Sequence, residues 1–420
     1  MGALKRKEVK KMQMRVDRLR EVLKLVQPVI PGKTTLPVLK YVLIKDGKAT
    51  ATDLETMIIL EIPEAEGECL IPHHSAKAFL DYVQGSEMIN VAQQGKTIEL
   101  SWDGGKASFE TLPPEEYPLV SETDERARGN IDGDRLVPAM KSMIEYCSHD
   151  TSRPVLSGIS LSLGETIELA AGDGFRMVFL NLPLPFPAED RVIIPSGSAV
   201  IISDLWSKSP PAVPFGDTLI SQVIAKRYIE LALSDRLMFH FGRVTVLIKP
   251  IEGSAPDFKK LIPKEPPITL RVFAPELDRA VRRCASIAHD GVGTIRFNWT
   301  ENDLTVSVKG KDNDNSIEAK VPAQVEGGAG RVAANVSYLL DYLKGKDGLV
   351  SIGVTSPGSP ILFRHGASPL VVIMPMYVEA EPKVAEPVTA EAKPAGPVPK
   401  AEPEAKVEAK VKVKTKKKAK

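Results

Sequence analysis

Cysteine is scarce in this chain: three residues in 420, Cys69, Cys147 and Cys284, too far apart for metal-ligand spacing. A reduced, cytoplasmic setting is the simplest reading of that scarcity. Aromatic residues make up only 5%, so no aromatic-rich platform for stacking single-stranded bases is present. No apolar run approaches the ~18 residues needed to cross a bilayer. The basic N-terminus is followed by "MQMRVDRL" instead of an apolar stretch, which argues against a signal peptide and a membrane location. Catalytic signatures are missing too. There is no Gly-rich phosphate loop leading into a helix, no metal-ligand cluster and no outstanding Ser/His/Asp order, and the carboxylates are scattered instead of clustered for metals. The His73-His74 pair opens a helical segment and reads as solvent-exposed, not as a ligand. No enzyme activity, cofactor or metal is expected.

What is present is charge, unevenly placed. The formal net charge is +1. Residues 1–12 carry five basic side chains and one acidic, and residues 379–420 carry eleven lysines and seven glutamates. The body from 13 to 378 is left with 39 basic and 46 acidic residues, a net −7. An acidic body normally argues against nucleic acid, but placement matters more than the sum. A hydrophobic content of 43% is ordinary for a globular chain, and the length suggests two to four domains.

The chain repeats itself. "TLPVLKYVLIKDGKATATDLETM" at 35–57 returns as "SRPVLSGISLSLGETIELAAGDGFRM" at 152–177, each with Pro-Val-Leu near its start and an Asp near its end. A second phrase occurs three times: "CLIPHHSAKAFLDYV" at 69–83, "VIIPSGSAVIISDLW" at 192–206 and "VAANVSYLLDYL" at 332–343. A third, "PPEEYPLV" at 113–120 and "EGSAPDFKKLIP" at 252–263, closes a strand-rich stretch each time. Helical periodicity marks six segments, about 17–27, 74–84, 135–147, 196–207, 275–288 and 335–344. Alternating runs such as "TIELSW", "TIELAA" and "LTVSVKG" lie between them, bounded by turn residues. Strands far outnumber helices and lack the intervening helix that parallel pairing requires. The fold class is α+β: three repeated units, each with two helices packed on antiparallel sheets.

The polar faces of those helices are basic. In "DRLREVLKLVQ", Leu19, Val22, Leu23 and Val26 form the apolar stripe, leaving Arg20 and Lys24 on another face. In "APELDRAVRRCASIA", Arg279, Arg282 and Arg283 cluster away from Leu277, Val281 and Cys284. Lys77, Lys141, Lys208 and Lys344 add to the set. Cations shared across repeated helices suit the phosphate backbone, read without regard to base sequence.

The ordered series "TLPVLKYVLI…ATATDLE", "RPVLSGISLSL…AAGDGFRM", "APDFKKLIP", "NVSYLLDYL" and "VIMPM" resembles the bacterial DNA polymerase III beta subunits, the sliding clamps, over residues 12 to 378. The resemblance implies a head-to-tail homodimer, closed into a ring with the helices lining a pore that admits double-stranded DNA. It divides the chain into a basic extension 1–11, clamp domains 12–128, 129–253 and 254–378, and a tail 379–420. It implies a non-catalytic processivity factor of the cytoplasm and nucleoid, loaded by an ATP-dependent clamp loader through its delta subunit. Further partners are the polymerase III alpha subunit and other clamp-binding-motif proteins (repair polymerases, mismatch repair proteins, ligase).

A partner-peptide groove is also implied between the second and third domains. Its residues would be Arg153, Leu156, Gly174, Arg176 and Met177, then Pro256, Lys260 and Leu261, then Asn335, Tyr338, Gly358, Pro360, Val372, Ile373, Met374, Pro375 and Met376. Aliphatic and Met side chains make an adaptable trough, with Arg and Asn at its rim; alternate residues of "PLVVIMPM" face the core. Gly172, Phe175 and Tyr377 depart from the common Thr, His and Arg, so the floor and one rim charge are expected to differ. The resemblance adds Lys33, in the turn "PGKTTLP", to the DNA-facing set.

Residues 379–420 contain no aromatic residue and six prolines, too little apolar surface to offset ordering, and are read as disordered. The last eleven hold seven lysines, which would add salt-dependent DNA affinity. The alternative reading is a clamp-like interaction scaffold that no longer encircles DNA.

Overall fold

Period-two alternation becomes strand and 3.6-residue periodicity becomes helix in the computed structural model, which describes residues 12–119, 124–209, 226–288, 293–310, 315–366 and 368–377. Strands β1 to β8 are Met12–Arg15, Tyr41–Lys45, Lys48–Thr52, Thr56–Glu61, Glu68–Pro72, Met88–Gln94, Thr97–Trp102 and Gly105–Glu110. Strands β9 to β16 are Ala127–Asp132, Gly158–Leu163, Ile167–Gly172, Arg176–Leu182, Asp190–Pro195, Tyr228–Leu233, Leu237–Phe241 and Val244–Ile248. Strands β17 to β24 are Ile268–Phe273, Thr294–Trp299, Asp303–Lys309, Ser316–Glu326, Gly330–Asn335, Leu349–Val354, Ile361–Arg364 and Leu370–Ile373. The helices are α1 (Val16–Val26), α2 (His73–Leu80), α3 (Gly133–Met143), α4 (Ser196–Lys208), α5 (Ala274–Ala288) and α6 (Val336–Leu343).

Each set of eight strands follows one permutation. The first, sixth, seventh and eighth strands make one antiparallel ladder, and the fifth, second, third and fourth make another; in the third set β17 also pairs with β20 and joins the two. A helix follows the first strand and another the fifth. The three-fold repetition of the sequence is therefore a repetition of topology. The expected boundary at 128 falls inside β9, which begins at Ala127; the basic extension and the tail lie outside the described residues.

The units join by edge-strand pairing. β4 pairs antiparallel with β16, Thr56 opposite Ile248 and Leu60 opposite Val244. β12 pairs with β24, Arg176 opposite Ile373 and Phe179 opposite Leu370. In both junctions the fourth strand of one unit meets the eighth of the next. The eighth strand of the first unit, β8, is an edge; the fourth of the last, β20, pairs with β19 through Ser316–Pro322 and with β17 through Ala323–Glu326, and neither meets such a partner among the described residues.

Helix pairs pack on the inner faces of the sheets. Leu19, Val22, Leu23 and Val26 of α1 and Leu277, Val281 and Cys284 of α5 are buried as their spacing requires. α3 starts with glycine for a packing reason: a Cβ on Gly133 would lie 2.2 Å from the Trp206 indole of α4. Burial pushes the Cys69 and Cys147 thiols up to about 12, which keeps them inert.

Two polar residues depart from expectation. His73 is buried, and its Nε2–H donates to the Leu23 carbonyl at 2.8 Å; only His74 is exposed. The Leu23 carbonyl belongs to the last turn of α1. Arg20 returns the service, donating to the carbonyls of Leu80 and, at 2.8 Å, Val83 at the end of α2. The two helices of the first unit close each other's C-terminal ends. His73 is thereby drawn out of solvent and Arg20 half-buried, which helical periodicity alone does not reveal.

Candidate peptide groove and nucleic-acid face

The β11–β12 turn is built by Asp173. Its Oδ1 accepts the Phe175 and Arg176 backbone N–H groups, both at 2.9 Å. The tight turn holds Gly174 at φ +95°, a conformation that disfavours any side chain. Arg153 lies over the bare glycine, its guanidinium 3.0 Å from where a Cβ would be, and its Nε donates to Asp150 at 3.2 Å. The repeated Pro-Val-Leu phrase, here Pro154–Leu156, is a 3₁₀ turn that drops Leu156 beneath this corner.

Below the turn lies a small apolar cluster, separate from the main core. Leu156, Ala170, Met177 and Ile193 come from the second unit, Ala255 and Phe258 from the connecting segment, and Leu362 and Val372 from the third. Of the expected groove residues, Leu156, Met177 and Val372 meet here. Ile373 points the other way into the main core, because neighbouring residues of a strand face opposite sides. Gly172 explains part of the floor: a side chain there would meet the Phe258 ring at 3.0 Å. The glycine makes room for an aromatic ring from the linker.

Around the cluster the surface stays apolar and open. Phe175 is 60% exposed, Leu261 53% and Met374 44%. Exposed Pro256 belongs to the same linker, and Pro360, two residues before Leu362, is half-buried. Gly358 is exposed with no atom near its would-be Cβ, and Lys260 pairs with Asp257 at 3.0 Å. The strand that ends at Ile373 is stitched on both sides: Met374 N–H donates to the Phe175 carbonyl and Met376 N–H to the Ala333 carbonyl, each at 2.8 Å. Met376 Sδ also accepts from Thr294 Oγ1 at 3.4 Å, while Pro375 between them is half-buried. Asn335 caps α6 through a 2.9 Å bond from Ser337 N–H. Tyr377 is exposed.

Arg176 is not a free rim charge. Its side chain is 9% exposed. Nε donates to Asp173 at 3.2 Å, one terminal nitrogen to Asp341 at 2.6 Å and the other to the Glu145 carbonyl at 2.7 Å. The guanidinium also lies against the rings of Tyr338 and Tyr146, 4.6 and 4.9 Å from their centroids. Burial alone would lower its pKa, but the Asp341 bond and surrounding charges more than restore it. The same burial pushes Tyr146 up to about 12.

The basic helix face divides into free and occupied cations. Lys24, Lys33, Lys141, Arg279 and Arg283 are exposed, with no partner among the described residues. Arg282 is held by Asp278 at 2.7 Å and Lys208 by Asp204 at 3.0 Å. Lys77 donates to Gln27 at 2.8 Å, and Lys344 lies 3.9 Å from Glu145. Arg20 serves α2, as described above.

Among the described residues no group of three or more His, Cys, Asp or Glu could hold a metal, and no helix is long and apolar enough to cross a membrane. A cavity between the Asp46–Lys48 hairpin and the 61–67 loop is lined by Asp46, Lys48, Glu61 and Glu66 among others, away from either surface. Sequence reasoning missed Phe258, Ala255, Ile193, Leu362, Tyr146 and Asp341. Phe258 alone carried a signal, as the one aromatic residue in the polar run "EGSAPDFKK".

Residues 259–378 match the model of the DNA polymerase III beta subunit, C-terminal domain. The chain is 26% identical over 377 residues to a beta sliding clamp of Chlamydia pneumoniae, covering 86% of this chain and 97% of that protein. Its fold is similar to a griselimycin-bound sliding clamp, DNA polymerase III subunit beta, from Pseudomonas aeruginosa, with TM-score 0.77 and 21% identity over 88% of this chain and 100% of the other. The DNA polymerase III beta subunit from Thermotoga maritima gives TM-score 0.75 at 19% identity, covering 88% of this chain and 99% of the other.

Proposed function

The chain belongs to the bacterial DNA polymerase III beta subunits, the sliding clamps that act as non-catalytic processivity factors in DNA replication, and from this premise we propose that two copies close head to tail into a ring around duplex DNA. The observation that carries ring closure is the pattern of edges. Twice within the chain a fourth strand pairs with an eighth; among the described residues β8 and the Ser316–Pro322 stretch of β20, which pairs with β19 alone, have no such partner. A second copy related head to tail would pair both and leave no free edge of this kind.

Inside such a ring, Lys24, Lys141, Arg279 and Arg283 face the phosphates from equivalent helices, with Lys33 beside them. Few free cations per unit make a weak, sequence-independent contact, so retention is topological and the ring slides. The corner around Leu156, Met177 and Val372 takes an extended peptide: buried aliphatic side chains form its floor, and Phe175, Leu261 and Met374 offer adaptable apolar contact. Its occupants are the polymerase III alpha subunit, the clamp loader delta subunit and other proteins with the same kind of segment. The protein works in the cytoplasm, at the nucleoid.

The test uses nicked circular DNA, a clamp loader with ATP, and gel filtration at moderate salt before and after linearising the circle. Retention on circles with loss after cutting is expected. Equal retention on both forms would mean direct binding, with the lysine-rich tail as the first segment to delete. Loss from both, with a loader active on its own clamp, would favour the scaffold reading.

A further inference from the structure

We propose that Arg176 is a positioning residue for the partner-peptide site, acting through Asp341 and Tyr338 of the third unit and never touching the peptide itself. The proposal rests on the groove reading above and adds what sets the groove's shape. All three kinds of guanidinium nitrogen are employed: Nε by Asp173, the terminal pair by Asp341 and the Glu145 carbonyl. Three of the five guanidinium N–H groups are used in these bonds, two rings lie against the group, and with only 9% of the side chain exposed a peptide carboxylate has little access to the two that remain.

What Arg176 holds is the set of surfaces the peptide would meet. Through Asp173 it braces the turn that keeps Gly174 bare and sends Phe175 outward. Through Asp341 and the face of Tyr338 it fixes α6, whose cap is Asn335. Through the Glu145 carbonyl it holds the end of the α3 segment. The second and third units are thus joined by the β12–β24 ladder, by the apolar cluster beneath it and, on the helix side, by this guanidinium beside the looser Lys344–Glu145 pair. The equivalent point of the first junction is different. There Thr56 takes the register position of Arg176 and meets the hydroxyl of Ser198, the counterpart of Tyr338, at 2.8 Å; the guanidinium at that junction, Arg236, comes from the β14–β15 turn and reaches the Leu54 and Glu55 carbonyls instead. At this register position a charged side chain stands only at the junction with the apolar corner.

Asp341 makes the distinction testable, because it pairs with Arg176 at 2.6 Å and is itself 43% exposed. A fluorescein-labelled peptide from the clamp-binding segment of the polymerase III alpha subunit is titrated against full-length protein and read by anisotropy. Leu261→Ala and Met374→Ala establish that the peptide sits in the groove. If Arg176 positions, Asp341→Asn weakens binding about tenfold, Arg176→Lys does the same despite keeping the charge, and Asp341→Glu stays near wild type. The loss is equal for a peptide whose acidic residues are replaced by amides, and Asp341→Asn keeps the wild-type melting temperature. If Arg176 is instead a direct ligand, Asp341→Asn binds as well as or better than wild type, and the loss in Arg176→Lys vanishes with the amide peptide. That result overturns the proposal. Wild-type binding unaffected by Leu261→Ala and Met374→Ala would remove the groove reading and this proposal with it.

Discussion

Thr56 and Ser198 place their hydroxyl oxygens 2.8 Å apart, both buried, across the junction of the first and second units. Neither has water to turn to, so each hydroxyl depends on the other. Thr56→Val keeps the shape and leaves Ser198 unpaired, which should cost about 1–3 kcal/mol. Adding Ser198→Ala removes the orphan and should restore most of the loss. Urea unfolding of the two single variants and the double checks this; additive losses would show that the pair is not coupled.

The basic residues should separate by what already binds them. Arg279 and Arg283 stand one helical turn apart with no partner among the described residues. Replacing either by Ala should weaken DNA binding and reduce the salt slope of affinity by about one. Arg282, held by Asp278, should change it less. Arg20→Ala should leave the slope unchanged and lower stability by about 1–2 kcal/mol, because two α2-end carbonyls lose their donor. Affinity measured at several salt concentrations, beside chemical denaturation, reads both effects.

His73 predicts an acid limb. Desolvation lowers its pKa first, and the charges of Lys77 and His74 lower it further. The folded protein therefore prefers the neutral ring, while the unfolded chain takes up its proton near about pH 6.5. Stability from this group is complete above that pH and declines as pH falls below it toward the folded value. His73→Gln, which retains a donor for the Leu23 carbonyl, should flatten the decline between pH 7 and 5. An unchanged slope would assign the acid limb to other groups.

Leu54 has φ +82° in the turn equivalent to that of Gly174, and 41% of it is exposed. Asp53 builds this turn as Asp173 builds the other, accepting the Glu55 and Thr56 N–H groups. A left-handed leucine costs about 1–2 kcal/mol, partly offset by the unfolded-state entropy a glycine adds. Leu54→Gly should therefore be neutral to about 1 kcal/mol stabilising by thermal unfolding. A clear loss would mean that the leucine makes contacts worth more than its strain.

The two homologous turns show how far residue patterns reach. "ATDLET" and "AGDGFR" are visibly the same phrase, and both fold with the same Asp-centred hydrogen bonds. Nothing in either string says that Thr56 will find a serine and Arg176 two tyrosines and a distant carboxylate. Those partners sit 142 residues away for Thr56 and 165 for the pair of Arg176 with Asp341. Ile373 was legible as half of an alternation, but which half of "LVVI" faces the cluster depended on the register of β24 against β12. A one-residue slip would exchange the two faces.

By itself the sequence determined what is local or periodic: the six helices of the described residues and their buried stripes, strands by alternation, and a thrice-repeated plan. Each follows from the geometry of a few neighbouring residues. Tertiary structure alone decided which polar side chains were free. It took Arg20 and His73 to close two helix ends, turned Arg176 inward as a brace, and filled the space beside Gly172 with Phe258. Burial and hydrogen-bond partnership depend on segments distant in the chain, and the cost of leaving a buried polar group unpaired is what commits each of these side chains.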